Sequence, residues 1–470
     1  MDLHHTLTAS KLEASAATLP RLSRRAGFWA VAFAFLAVAA FSTAPSSLYG
    51  LYAQHDHVAP FTLTIVYAVY AAGVTTSLLL VGHVSDWYGR KVVLIPAIAV
   101  ATVAAVVFIS WQSLAGLIVA RVLTGLALGA TVATATAYIA DLDAGPDGGV
   151  TRRAEVISAI ASVGGLAIGP LLTGLLARYA PDGLTLPYVV LLVGLVPAVL
   201  AVVLTPEGHP AQHPLPAYRP QRLQAPAHAK GQFIAALTGV ALAFATWGIF
   251  AGLAGRFLAQ TLHHPSPALT GAAIFLTFGT GAVVQITTSK WPAHRLLVAG
   301  IPTIVLGLAI FVASAWTSPP SLALFLIGGV VTSSGAAAIF RASLSVVIET
   351  ASAGDRAGAL ATFFVVGYAA LSLPVLGLGI GLIYLSPQVT LLIFGLVVGL
   401  GVLAAAPTLL RRPGRGARHP AGHRSQRALK SGSYRWPGGA DQGIPRVRSG
   451  GERRRILVAH TTRSLGEERS

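Results

Sequence analysis

Twelve long apolar segments run through this sequence, and they constrain its fold more than any other feature. Each has close to the ~20 residues that an α-helix needs to cross ~30 Å of hydrocarbon. The segments are continuously apolar rather than alternating, which favours helices over the strands of a barrel. They lie near residues 27–49, 61–82, 92–110, 114–139, 154–177, 185–204, 232–258, 268–287, 296–315, 321–340, 357–380 and 386–409. The sequence therefore predicts an all-α membrane protein with twelve transmembrane helices.

The composition agrees with a membrane protein. Hydrophobic residues make up 54% of the 470 residues and charged residues 10%, and the mean hydropathy is +0.70. The basic residues before the first apolar run resemble the start of a signal peptide. That run is too long for a signal sequence and many more follow it, so we interpret it as a retained first span.

Signatures of catalysis and of metal binding are missing from the sequence. The chain has no cysteine, which excludes disulfides and thiolate metal sites. It also lacks G-x-x-x-x-G-K-[ST] for nucleotide, H-E-x-x-H for zinc and the G-x-S-x-G nucleophile elbow. We therefore predict that the protein is not an enzyme and uses no cofactor and no metal.

The formal net charge of +17 is concentrated at the carboxyl end. Residues 411–470 contain 15 Lys and Arg against 4 Asp and Glu, which accounts for +11 of it. This segment is rich in Arg, Gly, Pro and Ser, so we predict a disordered cytoplasmic tail that can contact anionic lipid headgroups. No folded basic module is present, and nucleic-acid binding is not expected.

The positions of Lys and Arg predict the orientation. Alternate connections between the segments are basic, whereas the others contain essentially Arg178 alone. By the positive-inside rule the basic connections face the cytoplasm, which places both termini there. The basic connections contain Arg90, Lys91, Arg152, Arg153, Arg219, Arg222, Lys230, Lys290, Arg295, Arg341 and Arg356.

A polar stretch at 205–231, rich in Pro, His, Gln and Arg, separates two sets of six segments. We predict a cytoplasmic N-terminal segment (1–26), a six-helix bundle (27–204), a cytoplasmic linker (205–231), a second six-helix bundle (232–410) and the basic tail (411–470). A faint repeat relates the halves, because Pro170 falls on Pro374 at the offset that also places Arg90 on His294.

A compact charged turn lies between the second and third segments. It resembles the signature loop of the major facilitator superfamily of secondary transporters, G-x-L-a-D-r-x-G-r-k-x-x-l, except that Val84 replaces Leu and Trp87 replaces Arg. The resemblance implies a cytoplasmic gating loop that braces the start of span 11, near residues 354–356, while the outer side is open. The matching gating residues are Gly82, Asp86, Gly89, Arg90 and Lys91.

Arg121 lies well inside the fourth segment, where an ionisable residue is costly and therefore a functional candidate. Its surroundings resemble the superfamily's second motif, l-x-x-x-R-x-x-q-G-x-g-a-a, with Thr124 in place of Gln. The resemblance implies that Arg121 takes part in proton coupling. The alternative is an arginine that extends from the span to the outer membrane surface. Arg256, in span 7, is the second intramembrane charge, and either attracts an anionic group or extends in the same way.

The fifth segment resembles the antiporter motif g-x-x-x-G-P-x-x-G-G. It supplies Gly165, Gly169, Pro170 and Gly174, with Thr173 in place of one glycine. Small residues at this spacing let helices approach closely, and a proline permits a bend. The motif points towards exporters that exchange substrate for protons.

Together these features indicate a monomeric secondary transporter of the major facilitator fold in the cell membrane. By resemblance it works by alternating access and exports a small organic compound or drug in exchange for protons. Two alternatives remain: proton-driven uptake of a metabolite such as an organic acid, and a polytopic receptor or scaffold that does not transport. The spans contain almost no carboxylates, so no proton carrier is named. Positions suggest Tyr138, Trp247, Phe250, Ser333 and Ser334 as candidate substrate contacts, although packing roles are favoured for each.

Overall fold

Twelve helices long and apolar enough to cross a membrane make up most of the described chain. The computed structural model describes residues 22–55, 59–144, 149–208, 216–226, 229–352 and 355–410. The predictions for residues 1–21 and for the tail at 411–470 lie outside the described residues. The helices are α1 Arg24–Ser47, α2 Phe61–Leu80, α3 Arg90–Ser110, α4 Leu114–Asp143, α5 Arg152–Tyr179, α6 Leu186–Leu204, α7 Lys230–Gln260, α8 Pro267–Thr287, α9 Ala293–Ala313, α10 Leu322–Thr350, α11 Arg356–Tyr384 and α12 Pro387–Leu410. The predicted all-α fold with twelve spans is confirmed.

Polar residues at the segment boundaries define several helix starts. A serine or threonine hydroxyl accepts a hydrogen bond from the backbone N–H three residues later, which satisfies one of the free amides of the first turn. Such N-caps are Ser23, Thr151, Ser266 and Ser321. Helix α10 runs ten residues beyond its predicted end at residue 340. The helix continues past the apolar stretch, through polar residues such as Arg341 and Ser345. The Ser345 hydroxyl donates to the Arg341 carbonyl oxygen within the helix.

The two sets of six helices have the same packing pattern. In the first set α4 packs against α1, α2 and α3, while α1 also contacts α5 and α6. In the second set α10 packs against α7, α8 and α9, while α7 also contacts α11 and α12. Helices α6 and α12 occupy equivalent outer positions, each with a third of its most apolar window buried. This correspondence supports the internal repeat seen in the sequence, although the predicted bundle boundaries stay predictions.

The two sets meet through two equivalent helix pairs, α5 with α8 and α2 with α11. A methyl group added at Gly174 would lie 2.3 Å from the Pro267 carbonyl oxygen, and one at Gly271 2.2 Å from that of Pro170. In the other pair, a methyl group at Gly379 would lie 2.6 Å from the Thr64 hydroxyl. These contacts lie far from the turn at residues 81–89. We call the end of the molecule with that turn the loop end and the other the opposite end.

Helix packing across the α5–α8 contact can be tested at Gly271. In Gly271→Ala the new methyl group meets backbone atoms of Pro170 and Leu171, which cannot move aside as a flexible side chain would. Overpacking of this kind typically costs about 1–3 kcal/mol. We expect a clearly lower midpoint of thermal unfolding in detergent.

Gly279→Ala is the matched control on the same helix. Nothing lies within 4 Å of the methyl group that this change adds. Its midpoint should equal or exceed that of the parent, because alanine favours the helix over glycine by roughly 0.5–1 kcal/mol. Equal midpoints for the two variants would show that the α5–α8 backbones are not in close contact.

Candidate functional site

Arg121 belongs to α4, and its side chain lies inside the protein against α1. The side chain is fully buried, with a relative exposure of 0%. Its Nη1 donates to the Ser42 carbonyl oxygen at 2.7 Å, and its Nε donates to the Tyr49 hydroxyl at 2.9 Å. The guanidinium carbon lies 5.2 Å from the Tyr49 ring centre and 5.0 Å from that of Tyr70. The arginine therefore points towards α1 and α2 instead of extending to the membrane surface.

A central cavity lies next to Arg121 and is formed by residues from both sets of helices. It has about 110 Å³ of space for water-sized molecules. The lining is mostly aromatic and aliphatic, and among the described residues that form it there is no Asp, Glu or His. Arg121 is thus the fixed charge of this lining. The polar and aromatic members are Ser42, Thr43, Ser46, Tyr67, Tyr70, Arg121, Ser162, Phe244, Trp247, Phe278, Gln285, Phe340, Phe364 and Tyr368.

Of the five candidate substrate contacts, Trp247 lines this cavity. Its indole Nε1 donates to the Ser333 hydroxyl at 3.0 Å, which positions the ring. Phe250 packs instead against other phenylalanine rings of the second set. Tyr138 donates to the Pro206 carbonyl oxygen at 2.7 Å, and Ser334 bonds within its own helix. Packing roles fit these residues better.

Sequence reasoning did not single out the three cavity tyrosines, Tyr67, Tyr70 and Tyr368. Tyr67 and Tyr70 are one helical turn apart on α2, and both are almost fully buried. Tyrosine hydroxyls inside apolar spans require partners, so their presence there was the available signal. Their rings and hydroxyls give the cavity an amphipathic wall.

The glycine motif of α5 forms contacts with helices on both sides. Methyl groups added at Gly165 and Gly169 would meet the α1 backbone, at Gly169 only 2.0 Å from the Ala40 carbonyl oxygen. Gly174 faces α8. Thr173, the departure from the motif, donates to the Ala44 carbonyl oxygen at 2.9 Å and so fastens α5 to α1. A single π-helical turn at Ile160–Gly164 precedes the motif.

The signature loop is organised around a buried arginine that pairs with two carboxylates. Arg90 is 6% exposed, and its Nε donates to Asp141 Oδ2 at 2.8 Å. Its Nη1 pairs with Asp86 and also donates to the Ser85 hydroxyl at 3.0 Å. Gly89 ends the turn at φ 101°, a conformation that favours glycine. The turn thereby places the Arg90 side chain against Asp141 of α4.

A third carboxylate, that of Glu207, caps the start of α3. The Arg90 backbone N–H donates to Glu207 Oε1 at 2.9 Å and the Lys91 N–H to Oε2 at 3.3 Å. Negative charge at a helix amino terminus is favourable. Glu207 lies 117 residues after Arg90 in the sequence, so this cap could not be seen from the loop alone. The proposed gating role of the loop residues remains a prediction.

Residues 216–226 of the linker, which we call the strap, join α2 to α11 at the loop end. The Tyr218 hydroxyl and the Gln221 N–H donate to the carbonyl oxygens of Leu80 and Leu79, at 3.0 and 2.9 Å. Further along, Gln224 exchanges hydrogen bonds with the Thr362 hydroxyl, both at 3.1 Å. The strap therefore reaches the start of α11, where the family resemblance places a contact of the signature loop. Gly354 of that region lies outside the described residues.

His83, the second residue of the signature loop, contacts the strap. Its ring stacks on Tyr218, with 6.0 Å between centres, and meets Trp87 edge-on at 4.8 Å. Burial lowers the pKa of His83, and the backbone of Arg219 and the carboxylate of Asp86 offset part of this effect. The net effect of this burial is to favour the neutral imidazole of His83.

A multi-pass α-helical fold with a cavity between two similar sets of helices is the architecture of many membrane transporters. The model for the Major Facilitator Superfamily matches residues 28–323, which is more than half of the chain. The protein belongs to this superfamily and is a secondary transporter. A comparison with curated protein sequences found no match.

Solved transporter structures share the fold at low sequence identity. A mutant of the peptide transporter POT in complex with alafosfalin is 14% identical, with a TM-score of 0.64 over 82% of this chain and 93% of that one. A mutant of the nucleoside transporter NupG is 13% identical, with a TM-score of 0.61 over 82% and 99%. The human organic anion transporter MFSD10 (TETRAN) is 17% identical, with a TM-score of 0.59 over 83% and 100%.

The two acidic partners of Arg90 should contribute unequally to stability. The Asp141 side chain is 25% exposed and that of Asp86 is 55% exposed. Asp141→Asn leaves a buried guanidinium short of charge compensation, at a cost on the order of 2 kcal/mol. Asp86→Asn removes a solvated charge and should cost less than about 1 kcal/mol. Thermal unfolding of both variants in detergent tests this order, and a larger loss for Asp86→Asn would contradict it.

Acidification should loosen the strap. Because the folded pKa of His83 is lowered, its contact is complete above the ordinary histidine pKa of about 6.5 and weakens as the pH falls below it. A spin label on Ala217→Cys, in a chain without other cysteines, should become more mobile between pH 8 and pH 5.

His83→Phe is the control for this experiment. The substitution keeps an aromatic ring against Tyr218 but takes up no proton. The label should then show the same mobility at both pH values. A pH response that persists in His83→Phe would assign the change to another group.

Proposed function

We propose that the protein moves a small organic compound across the cell membrane by alternating access at the central cavity. The observation that carries this proposal is the buried Arg121, whose guanidinium borders a cavity lined by α1, α2, α4 and α5 on one side and by α7, α8, α10 and α11 on the other. A fixed charge in such a position costs stability. It therefore points to a role in ligand binding or in a conformational change.

Alternating access requires two sets of helices that stay intact while their contacts with each other change. Here each set packs extensively within itself. The sets touch through small residues at the opposite end, at Gly174, Gly271 and Gly379. At the loop end the strap connects α2 to α11. The two sets therefore contact each other near both ends, and these are the contacts that a transport cycle would change.

Coupling to protons and export remain part of this proposal and rest on the resemblance of the α4 and α5 motifs. The described cavity lining offers no carboxylate or histidine as a proton carrier. The candidate for coupling is Arg121, whose guanidinium donates to the Tyr49 hydroxyl at 2.9 Å. The predicted orientation, with the loop end in the cytoplasm, and the monomeric state also belong to the proposal.

Transport of an organic acid is the second candidate, and the charge of the cavity favours it. A positive charge without a carboxylate in the same lining attracts anions and repels cations, most strongly where water is scarce. The uncompensated Arg121 therefore fits an organic acid better than a cationic drug.

Substrate flux in proteoliposomes tests the function. A pH-sensitive dye inside the vesicles reports proton movement while labelled cationic drugs and organic acids are screened. Arg121→Gln should reduce flux of any transported compound roughly ten- to a hundredfold, since a lost charged hydrogen bond is worth about 1.5–3 kcal/mol.

Arg25→Gln, at an exposed position near the start of α1, is the control and should transport normally. Flux without proton movement would replace coupled transport by a uniporter. If no compound crosses the membrane, transport itself is contradicted, and the hypothesis of a receptor or scaffold is favoured.

A further inference from the structure

A second cavity lies at the opposite end, between the two sets of helices. It holds about 450 Å³ of space for water-sized molecules, more than the central cavity. Its walls come from the end of α1, the short helix Tyr49–His55, and parts of α5, α7 and α8. Arg178 and Arg256 both line it, and there is no Asp or Glu among the described residues of its lining. We call it the vestibule.

Arg256 is held in place by two hydrogen bonds, but not all of its hydrogen-bond donors have a partner. Its Nε donates to Gln260 Oε1 at 2.9 Å, and its Nη2 donates to the Leu382 carbonyl oxygen at 3.4 Å. Its Nη1 is buried and has no hydrogen-bond partner in the protein. A buried donor of a charged group needs an acceptor. The planar guanidinium is suited to a carboxylate, which can accept from two nitrogens at once.

The vestibule borders the central cavity. Ser46 lines both cavities, and its hydroxyl is buried without a partner. Tyr49 lines the vestibule and accepts a hydrogen bond from Arg121 on its other side. A ligand that moves from Arg256 past Ser46 thus reaches Arg121 without meeting a described acidic side chain.

We propose that the vestibule is an anion-binding site, in which Arg256 with the help of Arg178 holds the carboxylate of an organic anion before or after it occupies the central cavity. The inference rests on the proposed transport function and assigns its substrate class. It also gives Arg256 a ligand, where the sequence left open whether this residue attracts an anion or extends to the membrane surface.

Benzoate, benzamide and benzylamine are suitable probes, because they share one ring and differ in charge. The chain has no cysteine, so Gln54→Cys, at an exposed position of the vestibule lining, carries a single environment-sensitive fluorophore. With the full chain in lipid nanodiscs, benzoate should change the fluorescence saturably, with a Kd at least tenfold lower than that of benzamide. Benzylamine should not compete with it.

Variants in the labelled chain locate the site. Arg256→Gln should raise the Kd for benzoate at least tenfold. Arg178→Gln, a change at an exposed position, should raise it severalfold. Arg25→Gln should leave it unchanged. The proposal is overturned if the three probes bind equally, if none gives a saturable signal, or if Arg256→Gln and Arg178→Gln bind benzoate as the parent does.

The flux assay separates this inference from the proposed function. Transport of benzylamine in preference to benzoate would overturn the anion site and leave transport standing. Saturable, Arg256-dependent binding of benzoate without flux of any compound would support the site and count against transport. Benzoate flux that Arg256→Gln reduces at low but not at saturating benzoate would support both.

Discussion

The structure depends on one constraint, that backbone N–H and C=O groups in hydrocarbon must find their partners inside the protein. Helices meet this constraint within each segment, so each span satisfies its own backbone without help from its neighbours. Packing then needs close contact, because lipid tails are as apolar as leucine and no hydrophobic force drives helices together. Glycines supply that contact where α5 meets α1 and α8, at Gly169 and Gly174. Gly174 lies at the contact between the two halves, where the absence of a side chain lets the backbones of α5 and α8 approach closely.

The charged side chains that line the two cavities are all positive. Arg121 borders the central cavity, and Arg178 and Arg256 border the vestibule, while the described lining of neither cavity contains a carboxylate. Acidic residues gather at the loop end, where Asp86, Asp141 and Glu207 bind Arg90 and the start of α3. Carboxylates therefore serve the fold at that end, whereas arginines border the cavities. This separation is the basis for assigning an anionic ligand.

Sequence reasoning located what depends on local pattern and missed what depends on distant partners. The spans were predictable because each is a continuous apolar run, and Arg121 because it interrupts one. Its partners, Ser42 and Tyr49, were not predictable, since they lie 79 and 72 residues away and bind through a carbonyl and a hydroxyl that any span could offer. The same applies to Asp141, 51 residues from Arg90. The hydroxyls of the cavity tyrosines marked them as residues that need partners, but only the assembled helices show that Tyr67, Tyr70 and Tyr368 share one cavity.

The strap makes the linker more than a covalent connection between the two halves. Gln221 is bound to α2 and Gln224 to α11. The three residues from one to the other can bridge a distance of roughly 10 Å at most, even when fully extended. A rotation that changes the distance between these helices at the loop end must therefore stretch, slacken or release the strap. A linker held in this way would favour the conformation in which both of its hydrogen-bonded contacts are made. Substitutions in it could then alter how fast the cycle turns over while the ligand sites stay as they are.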